Sequence, residues 1–316
     1  MNGEVAAASG AAADGPLRLR ALLLVTMAMW GINITVVKLL LGQIDVLPLA
    51  TLRMLLATAV MLPFCWARLP TLARLGRAQW LRLAACAAVL VYAHQLLAIS
   101  GMARTSTTHT ALIAALTPIV GMLVATAGSM ERTRPLGLLG VLLGFAGVAV
   151  AILAKPGAML SGLAYGDLLM FLSVFAFAGG SAWASRVAPG LDTLVLSAAV
   201  HGIGAVYLLM HTLVFAAPSF GAVAQWTGSS WAMLLFSGAC ANGVGLLVYM
   251  RSIERLGVGR ATSALYWVPI FGIGFGALFG AQIQAMHLVG LAGVVAGTWL
   301  TARWAPRRIA TSPPSA

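Results

Sequence analysis

The sequence predicts an all-α membrane protein of ten transmembrane helices arranged as two inverted five-helix repeats. Three observations predict it: a composition that is 61% hydrophobic and only 8% charged, ten apolar runs long enough to cross a bilayer, and a second half that echoes the first. A soluble domain runs about 45–50% apolar and about 25% charged. This chain, with a mean hydropathy of +0.97, therefore takes lipid as its main solvent. The same numbers exclude a disordered chain, a disulfide scaffold and a coiled coil, which need high charge, many cysteines or a charged heptad face. Cys65, Cys86 and Cys240 stand singly in apolar stretches, with neither a CxxC nor a Cys/His pairing, and read as small buried hydrophobes. No metal and no cofactor is expected.

A spanning helix needs about 20 mostly apolar residues. Runs between the Arg, Pro and Gly clusters place the spans at 19–41, 46–66, 80–101, 105–128, 136–154, 164–187, 192–216, 231–250, 260–280 and 285–304. The runs are continuous, without the alternation of a porin strand, so they are helices. The first is expected to be a span and not a cleaved leader, because it carries Asn33 and Lys38 and nine more spans follow.

Short-loop Lys and Arg residues set the orientation. With the N-terminus cytoplasmic, 15 of the 19 basic residues fall inside, among them Arg18, Arg68, Arg132, Arg186, Arg251 and Arg307. Lys38, Arg104 and Lys155 fall outside, and Arg53 lies within span two. Both termini are expected to be cytoplasmic, and the net charge of +12 is largely a topology signal facing anionic lipid, not a nucleic-acid patch.

The repeat is visible around the fourth and ninth spans, TTHTALIAALTPIVGMLVATAGSME and VGRATSALYWVPIFGIGFGALFGAQ. Laying Pro118 on Pro269 places Glu131 on Gln282, and after a one-residue slip Gly140 and Gly147 meet Gly290 and Gly297. In the first helices of the two halves, Lys38 falls on Arg186. The organisation expected is a cytoplasmic tail (1–18), a first repeat (19–154), a periplasmic linker (155–163), a second repeat (164–304) and a cytoplasmic tail (305–316). An odd number of spans per unit forces the second copy to enter the membrane from the opposite side, the architecture on which many secondary transporters build alternating access.

With WGINITVVK in span one, Pro48-x-x-x-x-Arg53 in span two, LTPIVGMLVATAGSME ending at Glu131 and the glycine pair after it, the chain resembles the EamA-type transporters of the drug/metabolite transporter superfamily. The resemblance covers about residues 20–303. It implies ten helices, cytoplasmic termini, a central cavity between inverted halves, and export of small metabolites such as amino acids, or of drugs, from bacteria. The sequence departs from the pattern after span nine, where the expected glutamate is Gln282, or Ala281 if the glycines set the register.

Polar residues within spans are costly, at about 2.5–3.5 kcal/mol for a central charge on insertion scales, and so mark a cavity or a partner. Arg53 either snorkels outward or faces a cavity, where it would bind a substrate carboxylate or hold a helix pair together. Trp30 and Asn33 share one face of span one, and Asn242 sits at similar depth in span eight; each amide either bridges helices or lines the cavity. His94, its neighbour Gln95, and His201 are intramembrane, and a histidine can exchange a proton near neutral pH. His109, His211 and His287 read as interfacial. Trp183, Tyr266 and Trp267 complete the cavity candidates. Pro118 and Pro269, in equivalent repeat positions, are hinge candidates or fixed kinks. Glu131 pairs with the nearby arginines, caps span five or carries protons. Gly137, Gly140, Gly144 and Gly147 form a close-packing face on span five.

The leading reading is a secondary active exporter of small metabolites working by alternating access. An importer or exchanger, or a drug efflux protein of the same fold, is the alternative. An intramembrane enzyme using His94 or His201 is disfavoured, because no cluster of nucleophiles, carboxylates or metal ligands can be assembled around them. The partners expected are a small-molecule substrate, the bilayer of a bacterial inner membrane and a proton as candidate coupling ion, with the chain a monomer or homodimer and no nucleic acid involved.

Overall fold

A computed structural model describes residues 2–127, 131–132, 134–154, 165–278, 282–304 and 307–308. Among them, ten helices are long and apolar enough to cross a membrane. They are α1 (Leu17–Leu41), α2 (Val46–Arg74), α3 (Arg77–Arg104), α4 (His109–Ala127), α5 (Pro135–Leu153), α6 (Tyr165–Ala184), α7 (Thr193–Phe215), α8 (Gly228–Leu256), α9 (Val258–Leu278) and α10 (Ala285–Arg303). The helix carrying α1 begins at Asn2. With ten crossings, both ends of the bundle lie on one membrane face, called here the terminal face; the opposite one is the distal face. The side chain of Glu131, residues 155–163 and Ala281 lie outside the described residues.

Local chemistry sets several starts and stops. Pro135 opens α5, where its missing N–H costs nothing. The Asp192 carboxylate accepts from the Leu194 N–H at the head of α7, and the Ser106 hydroxyl accepts from the His109 N–H at the head of α4. α2 outruns the 46–66 expected from hydropathy because the chain continues after Cys65 as a 3-10 segment, Trp66–Arg74, that lacks the apolar character of the helix before it.

The irregularities recur in both halves. α4 breaks at Ala115–Leu116, just before Pro118, and α9 passes through a 3-10 turn at Ala264–Tyr266, just before Pro269. Each proline removes an N–H and its ring presses on the carbonyl four residues back, so the helix gives way there. α3 carries a π-helical stretch at Ala88–Ala93, and α8 carries one at Phe236–Val244. α2 ends in one 3-10 segment and α7 is followed by another, Ala217–Gln225.

The packing repeats as well. α1 packs against α8 and α9, and α6 packs against α3 and α4 in the same way; α2 pairs with α7, and α5 with α10. Exchanging the two sets of five helices leaves this pattern unchanged, as a pseudo-two-fold axis in the membrane plane requires. The repeats are therefore interleaved, since the first helix of each is seated in the other.

Glycine makes the tightest of these contacts. A Cβ at Gly140 would stand 2.7 Å from the Thr301 backbone nitrogen, and one at Gly147 would stand 2.6 Å from the Gly290 carbonyl oxygen. The small-residue face of α5 thus lets two backbones meet, which is how helices associate where lipid supplies no hydrophobic drive. Cys65 and Cys86 are buried as expected, but Cys240 is exposed on the outside of α8. An isolated thiol in an apolar run carries no signal for which way round its helix is turned.

Candidate functional site

A cavity of about 200 Å³ opens between the helices at the repeat interface. Its lining runs from His201, Asn242 and Leu265 in the middle of the bundle to Met102 and Thr110 near the distal ends of α3 and α4. Toward the terminal face the same helices close on apolar side chains: Leu23 and Met27 of α1, Val195 of α7, Leu247, Met250 and Ile253 of α8, and Ala261 of α9 are all buried.

Seven of the ten cavity candidates meet around this cavity: Trp30, Asn33, Arg53, His94, Gln95, His201 and Asn242. Arg53 does not snorkel. It is 4% exposed, its Nε donates to the Ser237 hydroxyl at 2.7 Å, and its Nη1 donates to Gln95 Oε1 at 3.1 Å. Both partners are neutral, so the guanidinium sits inside the bundle hydrogen-bonded to a hydroxyl and an amide rather than to an acid. Ser237 belongs to the π stretch of α8 and was not apparent as a partner from sequence, because a serine in an apolar run looks like a small packing residue.

That π stretch also bears Asn242, and the one in α3 runs directly into His94. A π turn widens the helix and displaces carbonyls from the regular ladder, and such turns often mark functional sites. The Ala241 carbonyl is taken by the Trp30 indole N–H at 2.7 Å, which ties α1 to α8. His94 Nδ1 lies 3.0 Å from the Ser173 carbonyl, and His201 Nδ1 lies 2.7 Å from the Ser197 carbonyl. A carbonyl only accepts, so in each ring Nδ1 carries the hydrogen and Nε2 is the remaining nitrogen. Asn33 Oδ1 and Asn242 Nδ2 are buried without a hydrogen-bond partner.

An aromatic cluster backs the cavity. Trp30 meets Phe177 edge-on at 6.1 Å and Tyr249 at 5.3 Å; Phe177 stacks on Tyr249 at 5.5 Å and touches His94 at 4.9 Å. Phe177 lines the cavity itself.

Other candidates stand elsewhere. Trp183 is 37% exposed on the outer surface of α6. Tyr266 is fully buried against Gly144, with its hydroxyl donating to the Val141 carbonyl at 2.7 Å, and so braces α9 on α5. Trp267 packs beside Phe271, at 5.8 Å between ring centroids. Pro269 lines the cavity and Pro118 does not, although its neighbour Thr117 does.

A polar cluster at the distal side escaped the sequence reading. Asp167, at the start of α6, is 4% exposed; its Oδ1 accepts from the Thr105 hydroxyl and its Oδ2 lies 2.9 Å from His109 Nδ1. His109 thus stands at the distal end of α4, as its sequence position suggests, but buried in an ion-pair geometry rather than turned to the interface. Lys38 Nζ donates to the Thr105 carbonyl at 3.0 Å. His211 bonds the Tyr92 hydroxyl at 2.9 Å, and His287 is buried at the head of its own helix, accepting from the Gln284 N–H.

The sequence profile described as the EamA-like transporter family matches residues 20–153 and again residues 164–303. The chain belongs to the EamA-like transporter family. The two matched segments are the two five-helix repeats of the bundle. An uncharacterized transporter of Archaeoglobus fulgidus is 25% identical over 287 residues, covering 89% of this chain and 96% of that protein. The uncharacterized transporter YvbV of Bacillus subtilis is 30% identical over 142 residues, 45% of each chain. A solved crystal structure shares the fold with a TM-score of 0.73 at 19% identity, covering 90% of this chain and 96% of the other. This EamA-like protein is accordingly a multi-pass membrane transporter.

Proposed function

We propose that this EamA-like transporter is a secondary active exporter of small organic metabolites, with its termini in the cytoplasm of a bacterium and its substrate bound in the cavity around Arg53. The observation that carries the reading is the cavity at the repeat interface: it extends from mid-bundle toward the distal face and is stopped toward the terminal face by a plug of buried apolar side chains. A site near the midplane between inverted repeats, reaching toward one face and sealed from the other, fits one state of an alternating-access cycle. Interleaved packing makes the moving units mixed ones: α1 travels with α8 and α9, α6 with α3 and α4. The paired helices α2/α7 and α5/α10 hold the two groups together. Fifteen of nineteen basic residues on the terminal face support a cytoplasmic assignment for it, and export is what the family resemblance implies for direction.

The test is flux in proteoliposomes containing the purified chain and no nucleotide, using amino acids and organic acids with and without a pH gradient. Gradient-dependent movement of at least one solute, absent from empty liposomes, is expected. Downhill leakage of every solute regardless of size, as from an open pore, would overturn the reading.

A further inference from the structure

We infer that the substrate is a small organic anion with a flat apolar body and no ammonium group, its carboxylate held by Arg53. This rests on the transporter reading above. Arg53 is a buried guanidinium whose hydrogen-bond partners, Ser237 and Gln95, are uncharged. Two of its N–H donors are engaged, and the rest of the fork remains for a ligand on the cavity wall. A guanidinium presents a planar fork that matches a carboxylate in a bidentate pair, stronger than neutral hydrogen bonds. An anion arriving there also offsets the charge that the fold buries without an acid beside it.

To an ammonium group the cavity offers neutral acceptors, Asn33 Oδ1 and Nε2 of His94 and His201, which match it less strongly than the guanidinium matches a carboxylate. No Asp or Glu lines the cavity among the described residues. Asp167, the acid at its distal end, is already bonded to Thr105 and His109. The Ala241 carbonyl in the π stretch is occupied by Trp30. The rings of Trp30, Phe177 and Tyr249 are turned on one another, with Phe177 stacked on Tyr249, so they form a wall rather than a cage for a cation. Arg53 itself repels a positive charge.

What remains of the lining is mainly apolar, including the rings of Trp30 and Phe177 and the side chains of Ile34, Leu265 and Val268. The unpartnered Asn33 Oδ1 and Asn242 Nδ2 can take one neutral polar substituent such as a hydroxyl or a ring N–H. The volume of about 200 Å³ equals the share of roughly seven waters at about 30 Å³ each, a compact space that suits a single ring bearing a short acidic chain.

The test uses three probes that share a phenyl ring and a short chain: 3-phenylpropionate as anion, phenylalanine as zwitterion and 2-phenylethylamine as cation. Binding to the purified, detergent-solubilised chain is read from quenching of tryptophan fluorescence. We expect 3-phenylpropionate to bind at least about tenfold more tightly than phenylalanine, and the amine not to compete with it. Arg53→Gln should weaken the anion about tenfold or more, and Arg53→Lys, which keeps the charge without the fork, should lose less. Equal binding of the zwitterion or amine, unchanged anion binding by a folded R53Q variant, or no binding of any probe would overturn the inference. Should R53Q fail to assemble, the ranking of the three probes on the unsubstituted chain still decides. Ranked binding without gradient-driven flux would count against the transporter reading alone, whereas flux that favours the amine or zwitterion would count against this inference alone.

Discussion

Replacing Asp167 by alanine removes the acceptor of two hydrogen bonds at once, from the Thr105 hydroxyl and from His109 Nδ1. Both carboxylate and imidazole are more than nine-tenths buried, at 4% and 8% side-chain exposure, so water replaces the lost partner poorly. A hydrogen bond to a charged group contributes about 1.5–3 kcal/mol, and two such losses sum to roughly 3–6 kcal/mol before relaxation. Asp167 lies in the first turn of α6, where a water can enter from the distal face, and this reduces the cost to about 2–4 kcal/mol. For a chain of this size each kcal/mol corresponds to roughly 2–4 °C, so the D167A midpoint in detergent should fall by about 4–16 °C. Thermal unfolding followed by fluorescence measures this, within a double-mutant cycle that adds H109A and the combined variant. The pair should show a coupling energy of about 1–3 kcal/mol. A D167A midpoint unchanged to within the error of the assay, or strict additivity in the cycle, would refute the claim that these two side chains fasten α4 to α6.

Gly147→Leu places a side chain where a Cβ already meets the Gly290 carbonyl at 2.6 Å and the Val294 nitrogen at 2.7 Å, so α5 and α10 must separate. Overpacking costs about 1–3 kcal/mol where side chains can give, and backbone cannot, so loss of the monodisperse folded protein on size exclusion is expected. Tyr266→Phe removes only the hydroxyl bonded to the Val141 carbonyl and should lower stability by about 0.5–1.5 kcal/mol while leaving probe binding intact. The exposed Arg68–Asp192 pair bridges α2 and the head of α7; R68A should change the unfolding midpoint by less than the equivalent of about 1 kcal/mol. In a cysteine-free background, a single cysteine at exposed Arg74 should react with impermeant maleimide only from the cytoplasm, and one at exposed Ser106's neighbour Arg104 only from outside.

The ten spans were legible because a helix in lipid must satisfy every backbone group internally and clothe about 20 residues in apolar side chains, a pattern that leaves few alternatives. The inversion was legible from Pro118 and Pro269, whose missing N–H breaks α4 and α9 at matching points. Arg53, Asn33, His94 and Asn242 were legible as cavity candidates because polar groups in lipid are expensive wherever they stand. Which way a residue points around its helix was not. Trp183 and Cys240 sit at depths that suit a cavity yet face outward, since an aromatic ring or a thiol is tolerated by lipid and by protein alike. Asp167 and His109 were not read as partners: an acid in the first turn of a helix is ordinary, and 58 residues separate it from the histidine it meets. The π turns of α3 and α8 were equally hidden, because AVLVYA at Ala88–Ala93 and FSGACANGV at Phe236–Val244 read as apolar, small-residue runs like those of the regular helices around them.

In the proposed alternating-access cycle, the apolar plug below the cavity opens toward the terminal face as the distal side closes. Met27, fully buried on α1 in the terminal half, is the position that reports it. A single cysteine there, in a cysteine-free background, should react with impermeant reagent supplied at the terminal face and should do so faster when a transported solute is present. Absence of any labelling at Met27→Cys under conditions in which the same variant sustains flux would contradict alternating access through this cavity.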